Sequence, residues 1–262
     1  MRILLTVCYD GTDFCGYQIQ PNKRTVEEVL NSAIFELTGE KVKSVASGRT
    51  DSGVHAQGQM VHFDTNFNMP PNKFKQALNS ILPQDVKIVS SKKVANTFNA
   101  RYSAKKKTYK YSACIGDFEN PLNLRYKVLI NKNLDIDLMK KCAKIIEGEH
   151  DFRCFLASGS SVKSTIRKIY SIKIVKRGNS LDFVVCGNGF LYNMVRIIVG
   201  TLISAGEGKI DIKNIKKALE NGDRLLVGKT MPAKGLSLIK VYYKWFLGEF
   251  YEKQKRRKMA KL

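Results

Sequence analysis

Hydrophobic positions come in short runs whose period changes several times along the chain. Residues 2–9, RILLTVCY, are apolar and partly β-branched and end at Asp10-Gly11, the pattern of a strand entering a turn. From Thr25 to Gly39 the residues Val26, Val29, Leu30, Ala33, Ile34 and Leu37 fall at helical spacing, and Thr25 followed by Glu28 has the form of a capping box. Residues 41–46 read as a short strand and 59–64, QMVHFD, as an alternating second one. Pro70-Pro71 opens a helix reaching Leu82, and 86–94 returns as a strand. The first hundred residues thus predict two β-α-β passages.

Alternation resumes in residues 105–115, KKKTYKYSACI, with a heavily basic start, and 116–125 is rich in turn residues. Residues 135–148 are helical, with Leu138, Cys142, Ile145 and Ile146 on one face. Two facing strands, 168–176 and 181–185, meet at Arg177-Gly178-Asn179, a hairpin signal. Residues 190–205 form a strongly apolar helix, 211–221 a second helix, and 236–243 a closing strand. Both halves mix antiparallel strands with packed helices, so the fold class is α+β. We divide the chain into an N-terminal subdomain, 1–105, a C-terminal subdomain, 106–246, and a basic, flexible tail, 247–262. No sequence repeat links the halves.

With 262 residues, 44% of them hydrophobic, the chain can bury a sizeable core. Charge changes the picture more: 45 Lys and Arg against 23 Asp and Glu leave a formal net charge of +22. Such an excess favours a polyanionic partner. A Lys-rich proteome would explain Lys over Arg, but not the excess over acids. Six cysteines lie scattered without a Cys-x-x-Cys pair, and with three histidines a zinc site has little to build on. The N-terminus has one basic residue and too short an apolar run for a signal peptide, and nowhere do about 18 apolar residues follow one another. A reduced, cytoplasmic protein without membrane contact is expected.

Several enzyme classes are set aside by their missing motifs. There is no G-x-x-x-x-G-K-[ST] phosphate loop, no G-x-G-x-x-G after a strand, and no H-x-E with P-C-x-x-C. Cys-His nucleophilic catalysis stays conceivable, although sequence alone puts no Cys beside His55, His62 or His150. The stretch ASGRTDSGVHAQGQ, residues 46–59, fences Arg49 and Asp51 between Gly48 and Gly53. If 49–51 is extended, Arg49 and Asp51 project to one side, and the guanidinium would hold the carboxylate ionised with its pKa lowered by about 1 to 3 units. An ionised carboxylate is a nucleophile or an electrostatic stabiliser. The same residues also suit a plain Asp-Ser-Gly turn with a surface Arg-Asp pair.

SGRTDSGVHAQGQ resembles the active-site motif of the TruA family of tRNA pseudouridine synthases, whose usual form is GRTDxGVHA. Four further blocks follow family order: YDGTDFCGYQIQ resembles the N-terminal signature, FNARYSAKKKTYKY the segment with the substrate-stacking tyrosine, GEHDFRCF a mid-domain helix, and GFLYNMVRIIVG a late helix. The match covers the chain except its tail. Ser52 stands where many members have Ala, and Tyr17 replaces a frequent Trp, small and aromatic exchanges that leave the chemistry intact.

The resemblance implies a pseudouridine synthase fold, with the two sheets joined into one extended sheet and the active-site cleft between the halves. It implies Asp51 as the essential catalytic nucleophile, Arg196 as its partner from the second half, Arg49 in support, and Tyr109 stacking on the target base. An Arg on an apolar helix points the same way, because burying it unpaired would cost several kcal/mol. His55 is read as structural or RNA-facing. Lys105, Lys106 and Lys107, just ahead of Tyr109, are candidates for phosphate contacts. No metal or cofactor is implied, since isomerising uridine involves no net redox change and no departing group. The implied substrate is the anticodon stem-loop of tRNA at uridines 38 to 40, bound by a homodimer. The same chemistry on another RNA such as rRNA, or a catalytically silent RNA-binding protein, are the alternatives.

Overall fold

The structure, a computed structural model, describes residues 1–130, 133–159 and 162–244. The segment 247–262, expected to be a flexible tail, lies outside the described residues. The first half contains β1 (Arg2–Tyr9), α1 (Val26–Thr38), β2 (Val45–Ala46), β3 (His55–Asp64), α2 (Phe74–Ile81) and β4 (Val86–Val94). The second contains β5 (Lys106–Ile115), β6 (Val128–Ile130), α3 (Ile136–Ile146), β7 (Gly148–Asp151), β8 (Ile166–Arg177), β9 (Ser180–Gly187), α4 (Met194–Gly206), α5 (Ile212–Asn221) and β10 (Leu236–Tyr242).

All these strands belong to one mixed sheet in the order β4-β1-β3-β10-β5-β9-β8-β7, with β2 added on β3 and β6 on β5. Neighbours along the main path are antiparallel except β10 and β3, which run parallel at Ser237↔His55 and Leu238↔Ala56. The extended, largely antiparallel sheet expected of the α+β class is thus present. Its central seam is closed by the last of the described strands, β10, which slots between β3 of the first half and β5 of the second.

Register explains how the seam becomes chemically loaded. Tyr109 pairs with Val185 on one side and Leu238 on the other, and Tyr111 with Phe183 and Leu236, so these six side chains share one face. Five of them are buried to within a few per cent and Tyr109 is 8% exposed. α4 covers this face; Met194, Val195, Ile197, Ile198, Val199, Leu202 and Ile203 are all buried, each worth about 1.5–3 kcal/mol in removed apolar surface. In the first half, Phe63 of β3 meets Phe74 of α2 edge-on at 5.8 Å.

Several boundaries differ from the sequence reading. Thr25 stands at the start of α1, but its hydroxyl makes no cap bond and is buried without a partner. The backbone of the preceding loop takes over the cap, with Val26 N–H donating to Gly16 O and Glu27 N–H to Tyr17 O. Glu27, not Glu28, reaches back, accepting from Ile19 N–H. The first turn after Pro70 is not helical, and α2 begins at Phe74. β3 begins at His55 rather than Gln59, because a register shift between Val7 and Tyr9 breaks the alternation there. GEHDFRCF is not a helix. Residues 148–151 pair with the β8 edge as β7, and Arg153–Phe155 makes one 3₁₀ turn. On α3 the buried face is Met139, Cys142, Ala143 and Ile146, one position round from the face expected.

Candidate active site

The residues 47–54 between β2 and β3 carry Asp51, and buried hydrogen bonds hold this loop from three sides. Gln59, fully buried on β3, accepts from Ser47 Oγ at 2.7 Å and donates to Gly48 O at 2.7 Å. Thr50 O accepts from Tyr17 N–H at 3.0 Å, and its hydroxyl shares a 2.8 Å hydrogen bond with Tyr9 Oη. Past Asp51 the chain reverses through Gly53 at φ 75°, a conformation costly for a side-chain-bearing residue. The Asp10-Gly11 turn lies directly beneath: a Cβ on Gly11 would sit 2.1 Å from Val54 O, so only glycine lets the two backbones touch. The N-terminal signature and the aspartate motif are therefore two halves of one structural unit.

Pinning Thr50 inward turns Arg49 outward. Its side chain is exposed, and no ion pair joins it to Asp51 among the described residues. The expectation that Arg49 lowers the Asp51 pKa is corrected accordingly. The loop is not a regular strand, so the two side chains do not share a side. The cation facing Asp51 is Arg196, one turn into α4, with Nη1 3.7 Å from Asp51 Oδ2 and side-chain exposures of 16% and 29%. Arg196 is held by Met231 O, which accepts from Nε at 2.6 Å, and by Asn193 Oδ1, which accepts from Nη1 at 2.6 Å. Burial pushes the Asp51 carboxyl above the usual carboxylate range, and the Arg196 charge offsets only part of this.

Tyr109 stands on β5 beside this pair. Burial first, then the neighbouring Tyr9 and Asp51, raise its phenol pKa, so it stays neutral. Phe190 packs edge-on against it at 5.1 Å and 84°. The structure therefore brings Asp51, Arg196 and Tyr109 together at the seam, and leaves Arg49 at its exposed rim.

The lysine triplet is not one surface, because successive strand residues point to opposite faces. Lys105 is exposed, and the Lys106 ammonium lies 4.5 Å from the centre of the Tyr242 ring. Lys107 turns to the Tyr109 side, where its ammonium donates to Ser47 O at 2.7 Å beneath the Asp51 loop. Burial, with help from Arg101, lowers the Lys107 pKa to about 8. Since the unfolded chain keeps this proton to about pH 10.4, wild type should gain stability between pH 8 and 10 relative to Lys107→Met. Urea midpoints of the two proteins across that range check this, and a constant difference would contradict the burial of the ammonium.

His55 has a structural place. Its Nδ1 accepts from Gly11 N–H at 2.9 Å, and Nε2 donates to the carbonyls of Arg125 (2.9 Å) and Lys234 (3.1 Å). Asp10 lies 3.1 Å from Nδ1. Burial alone would raise the Asp10 carboxyl, but Thr12, Tyr126 and His55 bring it down to about 2. Sequence reasoning missed Gln59, Asn193 and the inward course of Lys107. Only Asn193, a polar residue opening an apolar helix, left a readable signal. Among the described residues no group of three or more His, Cys, Asp or Glu could hold a metal, and no helix is long and apolar enough to cross a membrane.

A family model described as tRNA pseudouridine synthase matches residues 5–103 and 142–244. The sheet, the aspartate loop and that match define the class: a pseudouridine synthase, an isomerase. The tRNA pseudouridine synthase A of Clostridium acetobutylicum is 46% identical over 242 residues, covering 92% of this chain and 99% of its own. That of Thermoanaerobacter sp. gives the same figures, and that of Geobacillus sp. is 44% identical over 243 residues, 92% of this chain and 98% of its own. The chain belongs to the tRNA pseudouridine synthase family. Among solved structures, a Cbf5-Nop10-Gar1 complex is similar at 16% identity and a TM-score of 0.34, over 90% of this chain and 58% of that one, too loosely to carry weight.

Proposed function

We propose that this protein isomerises uridine to pseudouridine in the anticodon stem-loop of tRNA, at positions 38 to 40, with Asp51 as the catalytic nucleophile and no cofactor. The observation that carries the reading is Asp51 set in a rigid loop and facing Arg196 at 3.7 Å, with Tyr109 beside them. The relatives' names, which specify tRNA, support the substrate class.

The reaction breaks N1–C1′, turns the uracil, joins C5 to C1′, gives up the C5 proton to solvent and takes a proton onto N1, so that no atom is gained or lost overall. Asp51, in its ionised form, meets the sugar as the glycosidic bond breaks. Arg196, fixed by two protein acceptors, supplies positive charge beside the uracil anion without having to reorganise. Removing the base from its stack costs a few kcal/mol, part of which stacking on Tyr109 returns. Closing the seam keeps water from the freed sugar. Arg49, at the rim, meets the RNA strand as it enters. The enzyme acts as a cytoplasmic homodimer, and its two halves, 1–105 and 106–246, bind the RNA between them.

Tritium release from tRNA labelled at uridine C5, followed by identification of pseudouridine, tests the activity. A protein that binds tRNA without releasing tritium would be the silent binder instead. Lys105 and Lys106 contact phosphates in this reading, while Lys107 serves the fold. Replacing Lys105 and Lys106 with Gln should flatten the log-log salt dependence of tRNA binding by about 0.7 to 0.9 per lost contact. Filter binding across 50 to 200 mM salt, on the order used for such titrations, checks this; an unchanged slope would remove both residues from the interface.

A further inference from the structure

The residue that opens α4 does not do what its type and place ordinarily do. Asn is among the preferred N-cap residues because its side-chain oxygen can accept from the first free N–H groups of the helix. Asn193 occupies that position, yet its side chain makes no cap bond. Its backbone lies in the left-handed region, φ 59° and ψ 4°, which is unfavourable for an L residue. Its Oδ1 is turned onto Arg196 and accepts from Nη1 at 2.6 Å. The same Nη1 faces Asp51 Oδ2 at 3.7 Å, beyond hydrogen-bond distance.

The carboxylate therefore does not hold the cation it faces. Two acceptors at separate points of a planar guanidinium, Asn193 Oδ1 and Met231 O, fix its plane and position. Without Asn193, one of the two points that fix the guanidinium is gone, and the long Arg side chain is free to swing away from Asp51 toward solvent. The left-handed turn also ends the loop that brings Phe190 against Tyr109, and Ala157 N–H donating to Tyr192 O at 3.3 Å anchors its entry.

We propose that Asn193 is a positioning residue for the isomerisation: its left-handed backbone aims its carboxamide oxygen at Arg196 and sets where that cation stands relative to Asp51. The inference rests on the Asp51–Arg196 reading given under Proposed function.

Asn193→Gly tests it, because glycine takes the left-handed conformation without strain and no cap bond is lost. The melting temperature should change little, because relief of the left-handed strain offsets the lost hydrogen bond to Arg196, while kcat for tritium release from labelled tRNA falls about 10²-fold, the scale of a small misplacement, with KM unchanged. The same substitution in an Arg196→Ala background should cost nothing more, since the two residues act as one unit. The acid limb of kcat should also move to higher pH, as the charged group facing Asp51 from α4 is released while neutral Tyr109 on β5 stays in place. Unchanged kcat in a folded Asn193→Gly protein would overturn the proposal. A full further loss on top of Arg196→Ala would do the same, as would a lower melting temperature with kcat per folded enzyme intact. Unchanged kcat in Arg196→Ala alone would instead bring down the Asp51–Arg196 reading, and this inference with it.

Discussion

Replacing Asp51 with Asn is expected to lower turnover by about 10⁴-fold, the scale seen when a residue that acts in the chemistry itself is removed, while tRNA binding persists. The same substitution should leave the melting temperature unchanged or higher at pH values above the Asp51 pKa. The sign follows from burial. The folded pKa of Asp51 lies above its ordinary value, because desolvation outweighs the attraction of Arg196. Between the ordinary value of about 3.9 and the raised one, the folded protein holds the proton more tightly than the unfolded chain, so stability falls as pH rises through that window. Above the raised pKa the cost is fully present, and Asn removes it. A site that lowers stability for the sake of reactivity is a common trade. Activity runs the other way: kcat should fall as pH drops through the raised pKa, because the proposed role of Asp51 as nucleophile requires its ionised form. Turnover by Asp51→Asn within a few-fold of wild type would exclude Asp51 as the nucleophile.

Replacing Arg196 with Ala is expected to lower kcat by about 10² to 10³-fold, the scale of losing one preorganised charge stabiliser, with a smaller change in tRNA affinity. Two acceptors, Met231 O and Asn193 Oδ1, lose their donor, so stability should also fall by about 1 kcal/mol. The pH profile separates the two effects. Arg196 is the charge that holds the Asp51 pKa down, so its removal should shift the acid limb of kcat to higher pH. Arg196→Lys keeps a charge but cannot bridge both acceptors, and should recover only part of the rate. A loss confined to KM, with kcat and its acid limb unchanged, would make Arg196 an RNA-binding residue and nothing more.

The regular parts of this fold were legible because their periods are long enough to show. β1, β4, β5 and the β8–β9 hairpin appear where alternation or apolar runs placed them, and α1, α3 and α5 where helical spacing did. The failures have local causes. A bulge hid the start of β3, β6 is three residues long, and β7 exists only because the β8 edge is there to pair with it. The start of α4 was misjudged by the stretch from Phe190 to Asn193, whose apolar composition suits a helix while the left-handed Asn193 forbids one.

The candidate site divides the same way. Asp51, Arg196 and Tyr109 were picked out by residues matching a family motif, and the structure brings them to one seam. Arg49 shows the limit of reasoning from spacing: two residues apart in an extended chain share a side, but Tyr9 and Tyr17 pin Thr50 and turn Arg49 away. The lysine triplet shows the opposite error. Read as one charge run, it is split three ways: Lys105 is exposed ahead of β5, and strand alternation turns Lys106 onto Tyr242 and Lys107 to the opposite face, under the Asp51 loop.

The most direct test of the central claim uses wild-type enzyme and two tRNA transcripts labelled at uridine C5. One carries uridines at positions 38 to 40 of the anticodon stem-loop, and the other has cytidines there. Tritium release from the first with pseudouridine in the product, and none from the second, is the predicted result. No release from the first, or equal release from both, would contradict it.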